Sequence, residues 1–482
     1  VRKAIFINFA STTGSTAVQF IVSVLIARLL TPAEIGIYSI TIVLVNIAHV
    51  FRDFGVVSYL QREADLTNEK IRSAMGVLYA STWLIALIIF LASGWVAGYF
   101  GYPEVKPVMQ VLAIGFVFIP FSSVMVALLT RELQAVKLAW ANLVGTSAYA
   151  TASLSLAYMG FGTMSLAWAN LANLVATGLL YIPMRPRGLP WLPGFHRWRR
   201  VVKFGVGALM TNGLNAINTA LPDLLLGKMG SAHQVGLVSR ANSTVSIFTY
   251  VAGSAVNFGS LSYIAKAHHR GESLEPLLVR ATALLTGVGW PALALTSLLG
   301  HQLVEVLYGQ NWLESVPAIP ALALAAAIGL LFNYSSIALT AINRPYLAAL
   351  PVAAAIIARI VLAVAFFSGD IARFTWLLLA ATVFTVPFHL YLQTRYLHLP
   401  WRSVLKSCQG SFGVTLAVGV CCKLLLLATS AYALSPLATL VAISCAMVPV
   451  WLGAVVLLDH PIKQELQVLA KNLPGRRFLS RR

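Results

Sequence analysis

The sequence predicts an all-α polytopic membrane protein of about 14 transmembrane helices, built as two pseudo-symmetric six-helix lobes plus two C-terminal helices. Three observations carry that prediction. Hydrophobic residues make up 59% of the chain and charged residues 10%, against roughly 25% charged in an ordinary soluble domain. Apolar runs recur from end to end, each about the twenty residues of one bilayer crossing. One short motif occurs twice. Residues 27–39 align with 227–239, matching Arg28 with Lys228, Gly36 with Gly236 and Ser39 with Ser239. Each copy is followed by an F-G-x-x-S-Y-aliphatic echo, at 54–60 and 258–264. Two matched pairs in order imply that the halves are parallel repeats.

The first expected span, 5–26, is as long as a crossing and runs into the motif, so it is read as a retained helix rather than a cleaved leader. Its Asn8, Ser11, Thr12, Ser15, Gln19 and Ser23 recur at helical spacing and form one polar stripe. The second, 36–57, places Asn46, His49 and Asp53 on one face. Spans at 74–98, 108–128, 139–159 and 164–184 complete an N-terminal lobe, residues 1–184. Residues 185–203 hold Pro186, Pro190, Pro193 and five arginines. Proline blocks helix continuation and the charge keeps the segment in water, so it is read as a basic cytoplasmic linker.

The second lobe, 204–400, opens with the repeat of the first pair. Span 205–226 carries Asn212, Asn215, Thr219 and Asp223 on one stripe, and 235–262 carries Ser239, Ser243, Ser246, Tyr250, Ser254 and Asn257. Spans at 281–300, 316–340, 347–367 and 373–393 follow. Residues 401–482 add two spans without a counterpart, 408–428 and 436–458, and a basic tail.

An even number of spans puts both termini on one side. The loops of that side hold 26 of the 34 Lys and Arg, and the opposite loops hold only Arg28, Lys106, Lys228 and Arg373. Such asymmetry assigns both termini to the cytoplasm. It also accounts for the net charge of +19 without any nucleic-acid partner. The four cysteines, Cys408, Cys421, Cys422 and Cys445, show no metal-ligand spacing and are expected to be small buried residues. No metal or other cofactor is expected, with room for a coupling ion of unspecified identity.

Polar groups inside lipid are costly unless they face protein or water. The stripes of the two leading helix pairs therefore predict a water-accessible cavity between the lobes, or else polar contacts that hold packed helices together. Asp223 and Arg240 lie at similar depth on the seventh and eighth spans, which permits an ion pair. That pair is either purely structural or the means by which Arg240 is offered to an anionic ligand. An arginine carries a fixed charge and a planar fork suited to phosphate oxygens. Arg52, beside Asp53, is an interfacial anchor or the mouth of the cavity. Arg359 sits mid-span in the eleventh segment, where snorkelling to water is long. The candidate substrate-binding residues are thus Arg240, Asp223, Arg52, Asn212, Asn215, Gln19 and Arg359.

The segments 27–32, 36–38 and 53–55, with 223–227 and 236–242 in the second half, resemble the polysaccharide-transporter branch of the multidrug/oligosaccharidyl-lipid/polysaccharide flippase superfamily, the Wzx-type exporters. One departure is Val238, where the second-half motif often has Tyr. The resemblance implies a transporter, not an enzyme, in the bacterial inner membrane. It implies flipping of an undecaprenyl-diphosphate-linked oligosaccharide between leaflets by alternating access, in surface exopolysaccharide or lipopolysaccharide biosynthesis. Membrane lipid, a polysaccharide polymerase and assembly proteins are the partners it suggests. The alternatives are a cation-coupled multidrug antiporter of the same superfamily, which should show more cavity carboxylates, a lipid II flippase, and a membrane glycosyltransferase or polymerase, which should show a large outer loop with catalytic acids.

Overall fold

The computed structural model describes residues 2–53, 55–63, 65–185, 189–190, 192–196, 198–257, 260–430 and 434–472. Among them the chain is helical, with no strand. The α-helices are α1 (Arg2–Leu29), α2 (Pro32–Asp53), α3 (Val56–Arg62), α4 (Asn68–Phe100), α5 (Val105–Arg131), α6 (Ala135–Tyr158), α7 (Thr163–Tyr181), α8 (Trp198–Met229), α9 (Ala232–Asn257), α10 (Ser260–His269), α11 (Glu275–Leu298), α12 (Gly300–Leu307), α13 (Ile319–Ala341), α14 (Ala349–Phe366), α15 (Ile371–Tyr396), α16 (Trp401–Ser430), α17 (Pro436–Leu457) and α18 (Ile462–Asn472). Eleven helical segments of the described chain are long and apolar enough to cross a bilayer. The other three expected spans are α6, α8 and α9, helices of 24, 32 and 26 residues. They have the length, at about 1.5 Å per residue, but their polar side chains lower the hydropathy. With them the architecture is consistent with the fourteen spans expected.

The outward faces identify the solvent. On α4, Leu91 and Trp95 are 71% and 74% exposed while Ile89 and Val96 are buried. A water-soluble protein does not tolerate such continuous apolar surface, whereas in a bilayer it meets lipid. Cys408 and Cys422 are buried and Cys421 is half-buried, as expected, but Cys445 is exposed. It lies on the side of α17 that carries exposed Val441 and Val448, so its thiol faces the same apolar surroundings rather than a packed core.

The chain divides into two compact units, Val1–Ser239 and Arg240–Arg482. In the first, α1 packs on α6, α6 on α7, α7 on α5 and α5 on α4, while α8 packs on α2 and α4. Val56, Leu60, Ala74, Leu78 and Ala127 form a buried cluster that joins α3, α4 and α5. The described part of the basic linker is strapped onto this unit. The Gly194 N–H donates to the Arg72 carbonyl at 2.8 Å and Arg72 Nε donates to the Leu192 carbonyl at 3.2 Å. A Cβ at Gly76 would lie 2.1 Å from the Gly194 oxygen, so the strap needs a glycine beneath it. Pro186, Arg187 and Arg197 lie outside the described residues, as do Phe54, Phe258 and Gly259 of the second motif.

The repeated motif turns out to be a pair of helix starts. The Thr31 N–H and hydroxyl both donate to Glu34 Oε2 at 2.8 Å, and the Glu34 N–H returns a bond to Thr31 Oγ1 at 3.3 Å. Likewise the Ser231 N–H donates to Gln234 Oε1 and the Gln234 N–H to Ser231 Oγ, each at 3.2 Å. Both are capping boxes, which satisfy the orphan donors of a first helical turn. One turn further on the two helices cross. A Cβ on Gly36 would sit 1.7 Å from the Ala232 carbonyl oxygen, and one on Gly236 would sit 1.9 Å from that of Pro32. Beside this crossing Ser39 Oγ donates to Ser239 Oγ at 3.3 Å. The positions that align in the sequence are the positions that touch.

In the second unit α11 packs on α13 and α16, α13 on α15, α14 on α15 and α16 on α17. Leu303, Val414, Val418, Cys422, Ile443 and Met447 are buried together. His460, between α17 and α18, is 1% exposed. Its Nδ1 accepts from the Ile462 N–H at 3.2 Å, so the neutral ring carries its proton on Nε2. That nitrogen lies 3.0 Å from Ser411 Oγ, and Ser411 Oγ lies 2.8 Å from Thr286 Oγ1 and donates to the Ala283 carbonyl at 3.3 Å. Gly287 and Gly410 make room for the ring, since a Cβ there would lie 2.3 and 3.0 Å from it.

Burial lowers the pKa of His460 below its ordinary 6.5. The unfolded chain then binds the proton more tightly than the folded one. This contribution to stability is complete above about pH 6.5 and fades as the pH falls below it, by about 1.4 kcal/mol for each unit of depression. Thermal unfolding in detergent from about pH 7.5 to about pH 5 should show a falling melting temperature. His460→Gln should melt lower at the upper pH and lose part of that slope. An unchanged slope would remove His460 from the acid response.

Candidate functional site

The candidate residues fall on five helices. Within the first unit, Gln19 is exposed on α1, and Asn212 and Asn215 are exposed on α8. Thr219, one turn on, is exposed too, and its hydroxyl bonds back to the Asn215 carbonyl at 2.9 Å. One side of α8 is therefore accessible and polar along two turns. Its other side packs antiparallel on α2. A Cβ at Gly227 would meet Ile40 at 2.8 Å, and one at Gly213 would lie 3.8 Å from Phe51. That register sets Asn212 level with Arg52 within this unit.

Arg52 is half-buried and held on three sides. Its Nη1 is 2.8 Å from His49 Nδ1, its guanidinium lies 5.9 Å from the centre of the Phe116 ring, and its carbonyl accepts from Ser81 Oγ at 2.8 Å. His49 itself packs at a tilt of 34° against Phe116, with centroids 4.4 Å apart. An imidazole nitrogen facing a guanidinium must be the acceptor, so His49 is neutral and orients the arginine. Asp223 is half-buried on α8 directly after Pro222, and its carboxylate makes no hydrogen bond or ion pair with any described residue. The side chains of Asn8, Asp53, Tyr250, Ser254 and Asn257 lie outside the described residues.

Within the second unit, Arg240 is half-buried near the start of α9. Its guanidinium lies 6.0 Å from the centre of the Tyr308 ring, near the outer reach of a cation–π contact. Tyr308 is 2% exposed, and its hydroxyl accepts from Thr244 Oγ1 at 3.4 Å. Thr244 in turn bonds the Arg240 carbonyl at 2.9 Å. This is a second arginine set against an aromatic ring, as Arg52 is against Phe116. Arg359 is half-buried on α14, with buried Ala355 and Ala363 one turn before and after it. It faces the packed side of that helix, while Ile357, Val361 and Val364 face outward. Snorkelling along the lipid surface is thereby ruled out.

Sequence reasoning did not find Phe116, Tyr308 or Thr244, the groups that hold the arginines. His49 was within reach, three residues from Arg52 on one helix face. Three half-buried guanidinium groups in membrane-spanning helices, two of them on aromatic rings, are suited to anions, because low dielectric strengthens each attraction.

The fold and these residues define a multi-pass helical membrane protein with cationic sites in its spans. Comparison with known proteins places it further. Residues 25–317 match the model of the family described as polysaccharide biosynthesis protein, and the chain belongs to that family. The succinoglycan biosynthesis transport protein ExoT of Rhizobium meliloti (strain 1021) is 24% identical over 322 residues, 66% of this chain and 64% of the relative. The lipopolysaccharide biosynthesis protein WzxC of Escherichia coli (strain K12) is 21% identical over 310 residues, 64% of this chain and 62% of that one. The match thus spans a little under two thirds of these two relatives. Among solved structures, the inward closed conformation of the lipid II flippase MurJ superposes with a TM-score of 0.73 at 14% identity, over 95% of this chain and 99% of that one. At that identity the likeness concerns the fold.

Proposed function

We propose that the protein is a flippase that carries an undecaprenyl-diphosphate-linked oligosaccharide across the bacterial inner membrane for surface polysaccharide synthesis, working by alternating access. The observation that carries the reading is the chemistry of the spans, where arginines braced on aromatic rings accompany an accessible Asn/Thr face. A diphosphate with its sugars cannot enter hydrocarbon unaided. Arg240, Arg52 and Arg359 would grip the diphosphate by charge-assisted bonds, and Gln19, Asn212, Asn215 and Asp223 would meet sugar hydroxyls. The prenyl chain needs no protein polarity and stays in lipid. Both termini face the cytoplasm in this reading, and residues 185–203 join two six-helix lobes. Membership of the polysaccharide biosynthesis family supports the cargo class.

The test is a lipid extraction from a host deleted for this gene. Undecaprenyl-linked glycans are identified by mass, and their facing is probed from either side. The expected result is a cytoplasm-facing repeat unit that accumulates as surface polysaccharide disappears. An intact coat without accumulation, in a strain with no second flippase, sinks the proposal and points to a drug antiporter, to be checked by drug sensitivity.

A further inference from the structure

The second unit holds a cavity of about 650 Å³ that the transport reading does not use. It lies where α10, α13 and α15 end. α13 and α15 are membrane spans, so the cavity sits at the level where a span leaves the hydrocarbon and phospholipid phosphates begin. His268, Glu272, Ser273, Arg344, Arg395 and His398 are among the residues that line it, and Tyr396 lines it too.

Three features of these residues bear on what the cavity can hold. The first is the way the helices stop. Each ends with a residue of positive φ, namely Gly271 (70°), Asn343 (60°) and His398 (52°). In each the following N–H turns back to the helix, from Glu272 to the Ala267 carbonyl, from Arg344 to Leu339 and from Leu399 to Gln393, at 2.8–3.1 Å. These closures engage carbonyls that would otherwise repel an anion at a helix C-terminus. Second, two arginines line one cavity. The Arg344 guanidinium lies 5.2 Å from the centre of the Tyr396 ring, which fixes its plane. Glu272, the acid on the wall, is 3.6 Å from Arg270 and is offset by it. Third, His398 occupies a left-handed position, where glycine carries no Cβ penalty and a histidine does. A side chain kept there against its backbone preference points to a use.

We infer that this cavity binds a phosphate-bearing group, gripped by Arg344 and Arg395 with His268 and His398 beside them. Arg344 and Arg395, both exposed, line the same space, and two guanidinium forks suit the several oxygens of a phosphate. The phosphate comes from an anionic lipid headgroup or from a soluble phosphate compound, and the experiment separates the two. The site belongs to the second unit alone and does not depend on the nature of any transported cargo.

The purified full-length chain is titrated with dioctanoyl phosphatidic acid, with dioctanoyl phosphatidylcholine as control, and with inorganic pyrophosphate, using native mass spectrometry or calorimetry. Binding of phosphatidic acid that pyrophosphate fails to displace assigns the site to a lipid headgroup, and tighter binding of pyrophosphate than of phosphatidic acid assigns it to a soluble phosphate. Arg344→Gln with Arg395→Gln should weaken binding about tenfold or more without lowering the melting temperature. His398→Gly should raise the melting temperature and yet weaken binding several-fold, which guards against a double variant that merely unfolds. Binding of neither phosphate probe, or wild-type affinity in both variants, overturns the assignment and leaves the arginines as surface anchors.

Discussion

Replacement of Arg240 by alanine should cut polysaccharide export by roughly ten- to a hundredfold while leaving the protein in the membrane at normal amounts. Arg240 sits over Tyr308, and its own carbonyl is bonded by Thr244. Truncation removes the charge but leaves the ring and the threonine in place, so the helix retains most of its packing. A charge-assisted contact is worth about 1.5–3 kcal/mol, and loss of one such contact to a diphosphate slows transport by roughly ten- to a hundredfold. Arg240→Lys should recover only part of this, because an ammonium keeps the charge and loses the fork. The measurement is complementation of a deletion strain, scored by surface polysaccharide and by immunoblot of the membrane fraction. Normal export by Arg240→Ala would make the arginine a structural partner of Tyr308 and nothing more. Tyr308→Phe keeps the ring and should be near normal.

The second large effect is expected at the crossing of α2 and α9. Gly36→Ala or Gly236→Ala adds a single methyl group, but that methyl would lie within 2 Å of a carbonyl oxygen on the other helix. The backbone must move, since neither partner is a side chain that can turn away. Overpacking of this kind destabilises by about 1–3 kcal/mol, and the Ser39–Ser239 bond beside it should be lost with it. Small residues at such crossings let membrane helices approach closely, and dispersion at that distance replaces the hydrophobic drive that lipid cannot supply. Each variant should therefore melt at a lower temperature in detergent and accumulate less, whereas Gly14→Ala, at a position open on all sides, should behave as wild type. An undiminished melting temperature for Gly36→Ala would mean that the two helices are not held at this point.

Much of this architecture is legible in the sequence, because a bilayer imposes one length and one composition on every crossing. The repeat is legible as well, although its content is not apparent from alignment alone. Thr31 with Glu34 and Ser231 with Gln234 carry the three-residue spacing of a capping box, a signal open to inspection that apolarity counting passes over. The short helices α3, α10, α12 and α18 escape a reading by spans because they are too short to be one. The candidate site is legible on one side only. Arg52, Arg240 and Arg359 stand out as charges in apolar runs, but Phe116 and Tyr308 are unremarkable aromatic residues far off in sequence. What joins them to their arginines is tertiary packing, which no local pattern encodes.

The two capping boxes also bear on how the chain is made. Each closes within four residues, using only its own side chains. As a nascent helical pair leaves the translocation machinery, the donors at the start of its second helix already have partners. Unmet, each would cost several kcal/mol in lipid. α2, and later α9, can thus enter the bilayer with its first turn already capped, before any distant segment has been synthesised. The contact between Gly36 and Gly236 is then an assembly step between two capped helices, made some two hundred residues of synthesis apart.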